Sequence, residues 1–223
     1  VYVSSSECPE AMAMAKADIA MCGGNVAYVT INPKGDPREK FGHLSQKLGF
    51  GKDSTLLKLH LAGRTELHCP FHQQEAFCLG GGDSRVLLKR LREFENLHRI
   101  TLAQRLEQMW TTPYGVCVGL SAGAMVMGSS VDSFDYYRHF LGRFSFQADR
   151  QTTRGDTWDM KGLGFMDVQF IPHYPGKPLT FSKRGQRAFF RSLIWSYNRQ
   201  QEKSATEGER RFVLLPDSAA VYA

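Results

Sequence analysis

The sequence contains few cysteines and no long apolar run. Its five cysteines are an odd number, and no two of them form a C-x-x-C pair. This pattern argues against a disulfide framework and against a thiolate zinc site. No apolar run approaches the roughly 18 residues that cross a bilayer, and no segment resembles a secretion signal. We therefore expect reduced thiols, a cytoplasmic location and no contact with a membrane.

The chain also lacks a motif that would explain its positive charge as a nucleic-acid interface. Its net charge is +6 at pH 7, and much of the charge lies in residues 85–105 and 183–211. Both stretches carry apolar residues at helical spacing, so most of these cations are predicted to form the solvated faces of amphipathic helices. Charge alone does not predict a nucleic-acid partner.

The length and apolar content suit one domain. The chain has 223 residues and is 42% hydrophobic, which is enough for a single continuous core, so we expect one domain over residues 1–223. Short β-rich runs alternate with helical patterns, and they occur at residues 1–4, 26–31, 55–62, 76–79, 115–119, 165–171 and 211–215. This alternation predicts a three-layer α/β fold, with a mostly parallel sheet and helices on both faces.

Two helix starts can be identified from the sequence. Asp83 is a plausible N-cap for a helix in which Leu87, Leu91, Phe94 and Leu97 recur at helical spacing. Thr101 and Gln104 have the capping-box pattern, and this second helix is expected to end near Trp110.

A G-x-S-x-G segment joins a β-branched run to a helical run at residues 116–125. Such a turn exposes the serine hydroxyl at the carboxyl end of a strand and requires small neighbours, because the backbone is strained and adjacent chains pass close to it. Ser121 is therefore a candidate nucleophile, and the backbone N–H of Ala122 could bind an oxyanion. The alternative is that Ser121 only caps a helix.

A second glycine-rich strand end favours the catalytic interpretation. Gly80, Gly81 and Gly82 follow an apolar run, and the N–H groups of Gly81 or Gly82 could form the other half of an oxyanion hole.

A serine nucleophile needs a base and an orienting acid. His173 directly follows an apolar run, which places it at a strand end, where active sites of open α/β sheets lie. Asp217 ends the last β-rich run and gives the chain order Ser, His, Asp. An aspartate between Ser121 and His173 would give the order Ser, Asp, His instead, and the candidates are Asp132, Asp135, Asp156, Asp159 and Asp167. We favour Asp217.

Four segments, in this order, resemble the signature segments of dipeptidase E and its cyanophycinase relatives. They lie at residues 79–84, 119–124, 162–174 and 215–219. The resemblance implies a fold like that of class I glutamine amidotransferases, which is flavodoxin-like, with serine replacing their cysteine nucleophile. It implies neither metal nor cofactor.

The same resemblance assigns roles to individual residues. Ser121 would be the nucleophile, His173 the base, Asp217 the orienting acid, and the N–H groups of Ala122 and of Gly81 or Gly82 the oxyanion hole. The implied substrate is a small peptide with an N-terminal aspartate, whose carboxylate would meet Arg184 first and Arg187 second. Asp83 stands where these dipeptidases usually carry Asn, and we count it among the substrate-binding candidates.

Two other functions fit the same residues. The substrate could be a β-aspartyl polymer such as cyanophycin, or another amide. A non-catalytic binding protein that retains the fold is the alternative from a different class, and Asp83 and the long segments at 129–161 and 198–211 support it.

Overall fold

The fold was analysed in a computed structural model that describes residues 2–3, 8–31, 36–59, 74–94, 100–112, 115–131, 160–174, 211–216 and 220–221. Within these residues the strands are β1 (Tyr2–Val3), β2 (Val26–Thr30), β3 (Thr55–Lys58), β4 (Ala76–Leu79), β5 (Val116–Leu120), β6 (Val168–Tyr174), β7 (Arg211–Pro216) and β8 (Ala220–Val221). The helices are α1 (Pro9–Met21), α2 (Pro37–Leu48), α3 (Ser84–Glu93), α4 (Leu102–Trp110) and α5 (Ala122–Met127).

The main sheet has the strand order β3-β2-β4-β5-β1-β8. Its pairings are parallel, except that β1 and β8 are antiparallel. Parallel neighbours need crossover connections. The helix α2 connects β2 to β3, and α3 and α4 connect β4 to β5. The predicted mostly parallel α/β fold is therefore confirmed. The alternation pattern does not predict that β6 and β7 form a separate parallel pair, nor does it predict the short strand β8.

Side chains of the main sheet are buried on both of its faces. Along β2, Val26 and Tyr28 pack with α1 and α2, whereas Ala27 and Val29 pack with α3, α4 and α5. The strand β4 alternates in the same way, with Cys78 on the first face. Because both faces are covered, each central strand reads as a continuous apolar run rather than as an alternating one. The result is a three-layer arrangement with the sheet in the middle.

The helix starts follow the capping chemistry of the sequence. The Asp83 carboxylate accepts hydrogen bonds from the N–H groups of Arg85 and Val86, and it thereby begins α3. Thr101 and Gln104 form a complete capping box at α4, which ends at Trp110 as predicted. Leu97, the last residue of the predicted apolar stripe of α3, lies outside the described residues.

The two ends of the long segment at 129–161 are held together. Ser130 and Lys161 form an antiparallel bridge, and the N–H of Val131 donates to the carbonyl of Met160. The carbonyl of Val168, the first residue of β6, accepts from the N–H of Ser129. Residues 129–131 and 160–161 therefore lie together beside the start of β6. Residues 132–159 and the polar stretch at 198–210 lie outside the described residues.

None of the helices in the described ranges combines the length and the apolar character that a membrane-spanning helix needs.

The capping box gives a stability prediction. Replacing Thr101 by Ala removes the side-chain acceptor for the N–H of Gln104, so we expect the free energy of unfolding to fall by about 1 kcal/mol. Thr101→Ser keeps the hydroxyl and is the matched control. Urea unfolding followed by circular dichroism measures both variants. Equal stability of Thr101→Ala and the parent protein would contradict the prediction.

Candidate active site

Ser121 occupies a strained position between a strand and a helix. It lies directly between β5 and α5, with φ 53° and ψ −109°. Among the described residues it is the only non-glycine residue with a positive φ. Such a conformation costs on the order of 1–3 kcal/mol and persists only where surrounding structure enforces it. The Ser121 side chain makes no capping hydrogen bond to α5, so helix capping does not explain the serine.

The residues around Ser121 are small because neighbouring chains leave no room for a side chain. A Cβ added to Gly123 would collide with the carbonyl group of Leu79, at the end of β4. A Cβ added to Gly119 would lie 2.7 Å from the backbone nitrogen of Ala124 and 2.6 Å from the sulfur of Met127. Because Gly119 and Gly123 have no side chain, α5 packs closely against the ends of β4 and β5. This close packing holds the sharp bend at Ser121.

The glycine turn after β4 lies beside Ser121. Parallel pairing sets Leu79 opposite Gly119, so both strands end at the same edge of the sheet. A Cβ on Gly81 would lie 3.6 Å from Cβ and 3.9 Å from Oγ of Ser121. Gly82 has φ 139°, which side-chain-bearing residues rarely adopt. The structure thus brings Gly81 to the candidate nucleophile, while the role of its N–H in an oxyanion hole stays a prediction.

The third predicted oxyanion donor, Ala122, is the first residue of α5 and is buried. It follows Ser121 directly, as the G-x-S-x-G geometry requires of an oxyanion donor.

His173 lies near the carboxyl end of β6. The strand pairs with β7 through Pro172 opposite Leu215 and Tyr174 opposite Pro216, and the register shifts between Pro172 and Tyr174. A β-bulge at such a shift redirects a side chain away from the regular alternation, and bulges are frequent beside active sites. The backbone of His173 therefore sits at an irregular point at the end of the strand.

The strand β6 is in contact with α5. It starts beside the carboxyl end of α5, where the N–H of Ser129 donates to Val168. Phe170 of β6 and Met125 of α5 belong to the same hydrophobic cluster. The approach of His173 to Ser121 stays a prediction.

The described part of β6 bears on the choice of the orienting acid. Asp167 immediately precedes β6, whereas His173 lies near its other end. Six residues of extended chain span about 20 Å, which is too far for a carboxylate to bond the imidazole. Asp167 is therefore excluded. The strand β7 ends at Pro216, opposite Tyr174, and the next residue in the chain is Asp217.

Several predicted site residues lie outside the described residues. They are Asp217, Arg184, Arg187, Asp132, Asp135, Asp156 and Asp159. Their roles stay predictions.

Asp83 has a structural role in the described part of the chain. Its Oδ1 accepts from the backbone nitrogens of Arg85 at 2.9 Å and Val86 at 3.2 Å. The Nε of Arg85 approaches the same oxygen at 3.9 Å. A direct contact of Asp83 with substrate stays a prediction.

Two buried cysteines lie close to the candidate site in sequence. Burial raises the pKa of Cys117 to about 12. Burial also raises the pKa of Cys78, and the nearby Cys117 adds to this effect. Both side chains are therefore thiols rather than thiolates at neutral pH, and a thiol is a poor nucleophile. Ser121 therefore stays the predicted nucleophile among the residues of β4, β5 and the turns that follow them.

The sequence motifs do not point to Tyr28, whose hydroxyl lies against Gly80 at the start of the glycine turn. This fully buried residue of β2 pairs with Cys78, and its ring packs near Phe41 of α2. A Cβ on Gly80 would lie 2.7 Å from the Tyr28 hydroxyl, so only glycine fits there. This contact depends on the pairing of β2 with β4, which no local sequence motif predicts.

No set of three or more His, Cys, Asp or Glu residues arranged to hold a metal ion occurs within the described ranges.

Comparison with known proteins identifies the family. The model of peptidase family S51 matches residues 36–209, which is more than half of the chain, and the chain therefore belongs to that family. Membership places it among the peptidases.

A solved structure shares the fold. The 1.5 Å crystal structure of a provisionally named peptidase E protein from Listeria monocytogenes EGD-e superimposes with a TM-score of 0.60. The alignment covers 97% of this chain and 89% of that chain at 15% identity, and at this identity the likeness shows the fold alone. A search of curated proteins found no match.

Two glycines at the site predict opposite outcomes when each is replaced by alanine. The new Cβ of Gly81→Ala meets Ser121 at ordinary van der Waals distance, so the protein should fold while the added methyl crowds the nucleophile. We expect at least about a tenfold loss of kcat with little change in thermal stability.

The new Cβ of Gly123→Ala collides with backbone, which cannot yield as a side chain can. We expect the free energy of unfolding to fall by about 2 kcal/mol or more. Thermal unfolding and peptide hydrolysis on both variants test the pair. Similar stability of the two variants would show that this description of the turn is wrong.

Proposed function

We propose that the chain is a serine-type peptidase that hydrolyses the bond after an N-terminal aspartate in small peptides, through an acyl-enzyme. The observation that carries the proposal is the positive φ of Ser121 at the turn between β5 and α5, with Gly81 against its side chain. Strain of this kind is concentrated at functional sites. Membership of family S51 supports peptide hydrolysis as the reaction class.

Acylation would begin with attack of the Ser121 Oγ on the carbonyl carbon of the substrate. His173 would accept the hydroxyl proton as the C–O bond forms. The negative charge then develops on the carbonyl oxygen, where the N–H groups of Ala122 and of Gly81 or Gly82 would stabilise it. His173 would next return the proton to the leaving amine, and the peptide bond would break.

Deacylation would repeat the same steps with water as the nucleophile. His173 would remove a proton from the water, the ester to Ser121 would break, and the proton would pass to the departing serine oxygen. Asp217 would orient the imidazole throughout and stabilise its charged form. Its place directly after β7, the partner strand of β6, supports this assignment.

Recognition of aspartate requires a cation. Arg184, and after it Arg187, are proposed for this role on the strength of the resemblance described above. A guanidinium can bind a carboxylate through two parallel hydrogen bonds, and a neutral side chain cannot replace the carboxylate in that arrangement.

The nucleophile is tested by Ser121→Ala. We expect hydrolysis of aspartyl dipeptides to fall by at least about 10³-fold, because the acyl-enzyme cannot form. Thermal stability should change little, because the loss of one hydroxyl hydrogen bond costs about 1 kcal/mol or less. Ser45→Ala, in α2 on the opposite face of the sheet, is the matched control. A fluorophosphonate probe should label the parent protein and not the Ser121 variant.

Two outcomes would contradict this proposal in different ways. Unchanged turnover in Ser121→Ala would exclude Ser121 as the nucleophile. A parent protein that neither reacts with the probe nor cleaves any peptide would indicate the non-catalytic binding protein. Comparison of α-aspartyl with β-aspartyl peptides on the active protein distinguishes the proposed substrate from a cyanophycin-like one.

The Arg184 assignment is tested by Arg184→Met. We expect kcat/KM for Asp-Ala to fall at least about tenfold, and kcat/KM for Asn-Ala to change little, because only the charged substrate loses a charge-assisted hydrogen bond. Equal losses on both peptides would argue that the substitution acts on the fold.

A further inference from the structure

The ring of Tyr28 lies against the first residue of the glycine turn, which comprises residues 80–82. Tyr28 pairs with Cys78 in the sheet, but its hydroxyl lies further along the chain, beside Gly80. A Cβ built on Gly80 would lie 2.7 Å from the hydroxyl oxygen and 3.1 Å from Cζ of Tyr28. The tyrosine ring therefore occupies the space that a side chain of residue 80 would fill.

The end of β2 and the residue after it contact the same turn at two further points. The N–H of Gly80 donates to the carbonyl of Val29 at 2.8 Å. A Cβ on Gly82 would lie 3.0 Å from Cγ1 and 3.1 Å from Cδ1 of Ile31, which is buried. This segment therefore contacts both the first and the last residue of the turn, and Gly81 lies between them in the chain.

The middle residue of the turn faces the candidate nucleophile. A Cβ on Gly81 would lie 3.6 Å from Cβ and 3.9 Å from Oγ of Ser121. Tyr28 and Ser121 thus contact consecutive residues of one turn. The planar peptide group that joins Gly80 to Gly81 carries the N–H of Gly81, so a displacement of Gly80 also moves this donor.

The Tyr28 ring is itself held in place. It is fully buried, its centroid lies 6.2 Å from that of Phe41 in α2, and the Phe41 ring lies 5.8 Å from that of Phe50. Side chains in a close-packed interior do not shift without moving their neighbours. Burial also raises the pKa of Tyr28, and the nearby Cys78 adds to this effect, so the hydroxyl stays protonated at neutral pH. Tyr28 is a fixed and neutral support for the turn.

We propose that Tyr28 is a positioning residue of the oxyanion hole, which fixes the peptide group between Gly80 and Gly81 so that the N–H of Gly81 meets the developing oxyanion. The inference rests on the proposed function and deepens it. Removal of an oxyanion-hole donor lowers kcat by about 10²–10³-fold. Loss of a contact that only fixes such a donor should cost less, about tenfold.

Tyr28→Phe tests the role, because it removes the hydroxyl beside Gly80 and keeps the ring. We expect kcat for Asp-Ala to fall about tenfold and KM to change less than about twofold, since the oxyanion forms only in the transition state. Ile19→Val is the matched control, because it shortens a buried side chain of the same hydrophobic cluster, in α1. A loss of kcat caused only by looser packing would appear in both variants.

A second measurement compares a ligand that resembles the transition state with one that resembles the substrate. The aminoboronic acid analogue of aspartate forms a tetrahedral adduct when a serine oxygen adds to its boron, and an oxygen on boron then takes the place of the oxyanion. We expect Tyr28→Phe to bind this analogue about tenfold more weakly. In the background of Ser121→Ala, calorimetry with intact Asp-Ala should show unchanged affinity when Tyr28→Phe is added.

Gly80→Ala tests the contact itself. The new Cβ collides with the Tyr28 hydroxyl in the parent protein, and Tyr28→Phe removes the atom that it approaches most closely. Gly80→Ala should therefore lower the melting temperature less in the Tyr28→Phe background than in the parent protein. An equal lowering in both backgrounds would show that the hydroxyl does not restrict residue 80.

The outcomes distinguish this inference from the proposed function. Unchanged kcat in Tyr28→Phe, an equal loss in Ile19→Val, or equally weakened binding of Asp-Ala and of the boronic acid would overturn the positioning role, while hydrolysis and probe labelling of Ser121 stand. Absence of hydrolysis and labelling in the parent protein would overturn the proposed function instead. The Gly80→Ala comparison would then still decide whether Tyr28 supports the turn.

Discussion

The contact between the nucleophile turn and the end of β4 is the constraint on which the rest of the site depends. Gly123 packs against the carbonyl group of Leu79 so closely that no side chain fits. The residues of α5 are all buried, and their burial offsets the cost of holding Ser121 at φ 53°. The strain is therefore supported by the core, and the serine does not need a capping bond to keep its place.

The register of the main sheet brings the two turns of the candidate site together. Because Leu79 pairs with Gly119, the strands β4 and β5 end together, and the glycine turn meets the serine turn. In the neighbouring strand β2, Tyr28 pairs with Cys78 of β4. Its hydroxyl leaves room only for glycine at position 80. A shift of the register by one residue would exchange the two faces of a strand and separate the turns. Burial of both faces thus protects the site geometry as well as the fold.

Local patterns predicted the features that depend on neighbours in the sequence. The strand and helix alternation, the cap at Asp83 and the capping box at Thr101 follow from periodicity and short-range hydrogen bonding. The separate pairing of β6 with β7 depends on which distant segments meet, and composition does not encode it. The sequence alone does not distinguish among the aspartates between Ser121 and His173 as orienting acids. The length of β6 separates Asp167 from His173 and excludes it from this role.

The place in the fold, more than the type of residue, favours Ser121 over Cys117 as the proposed nucleophile. Cys117 is intrinsically the better nucleophile when ionised, and it lies four residues before Ser121. It is, however, inside β5, where burial raises its pKa to about 12 and its sulfur faces Met127. Ser121 instead follows the last residue of the strand, where the backbone bends sharply between β5 and α5. A weak nucleophile at the bend can be activated by a base, whereas a strong one inside the strand has no access to substrate.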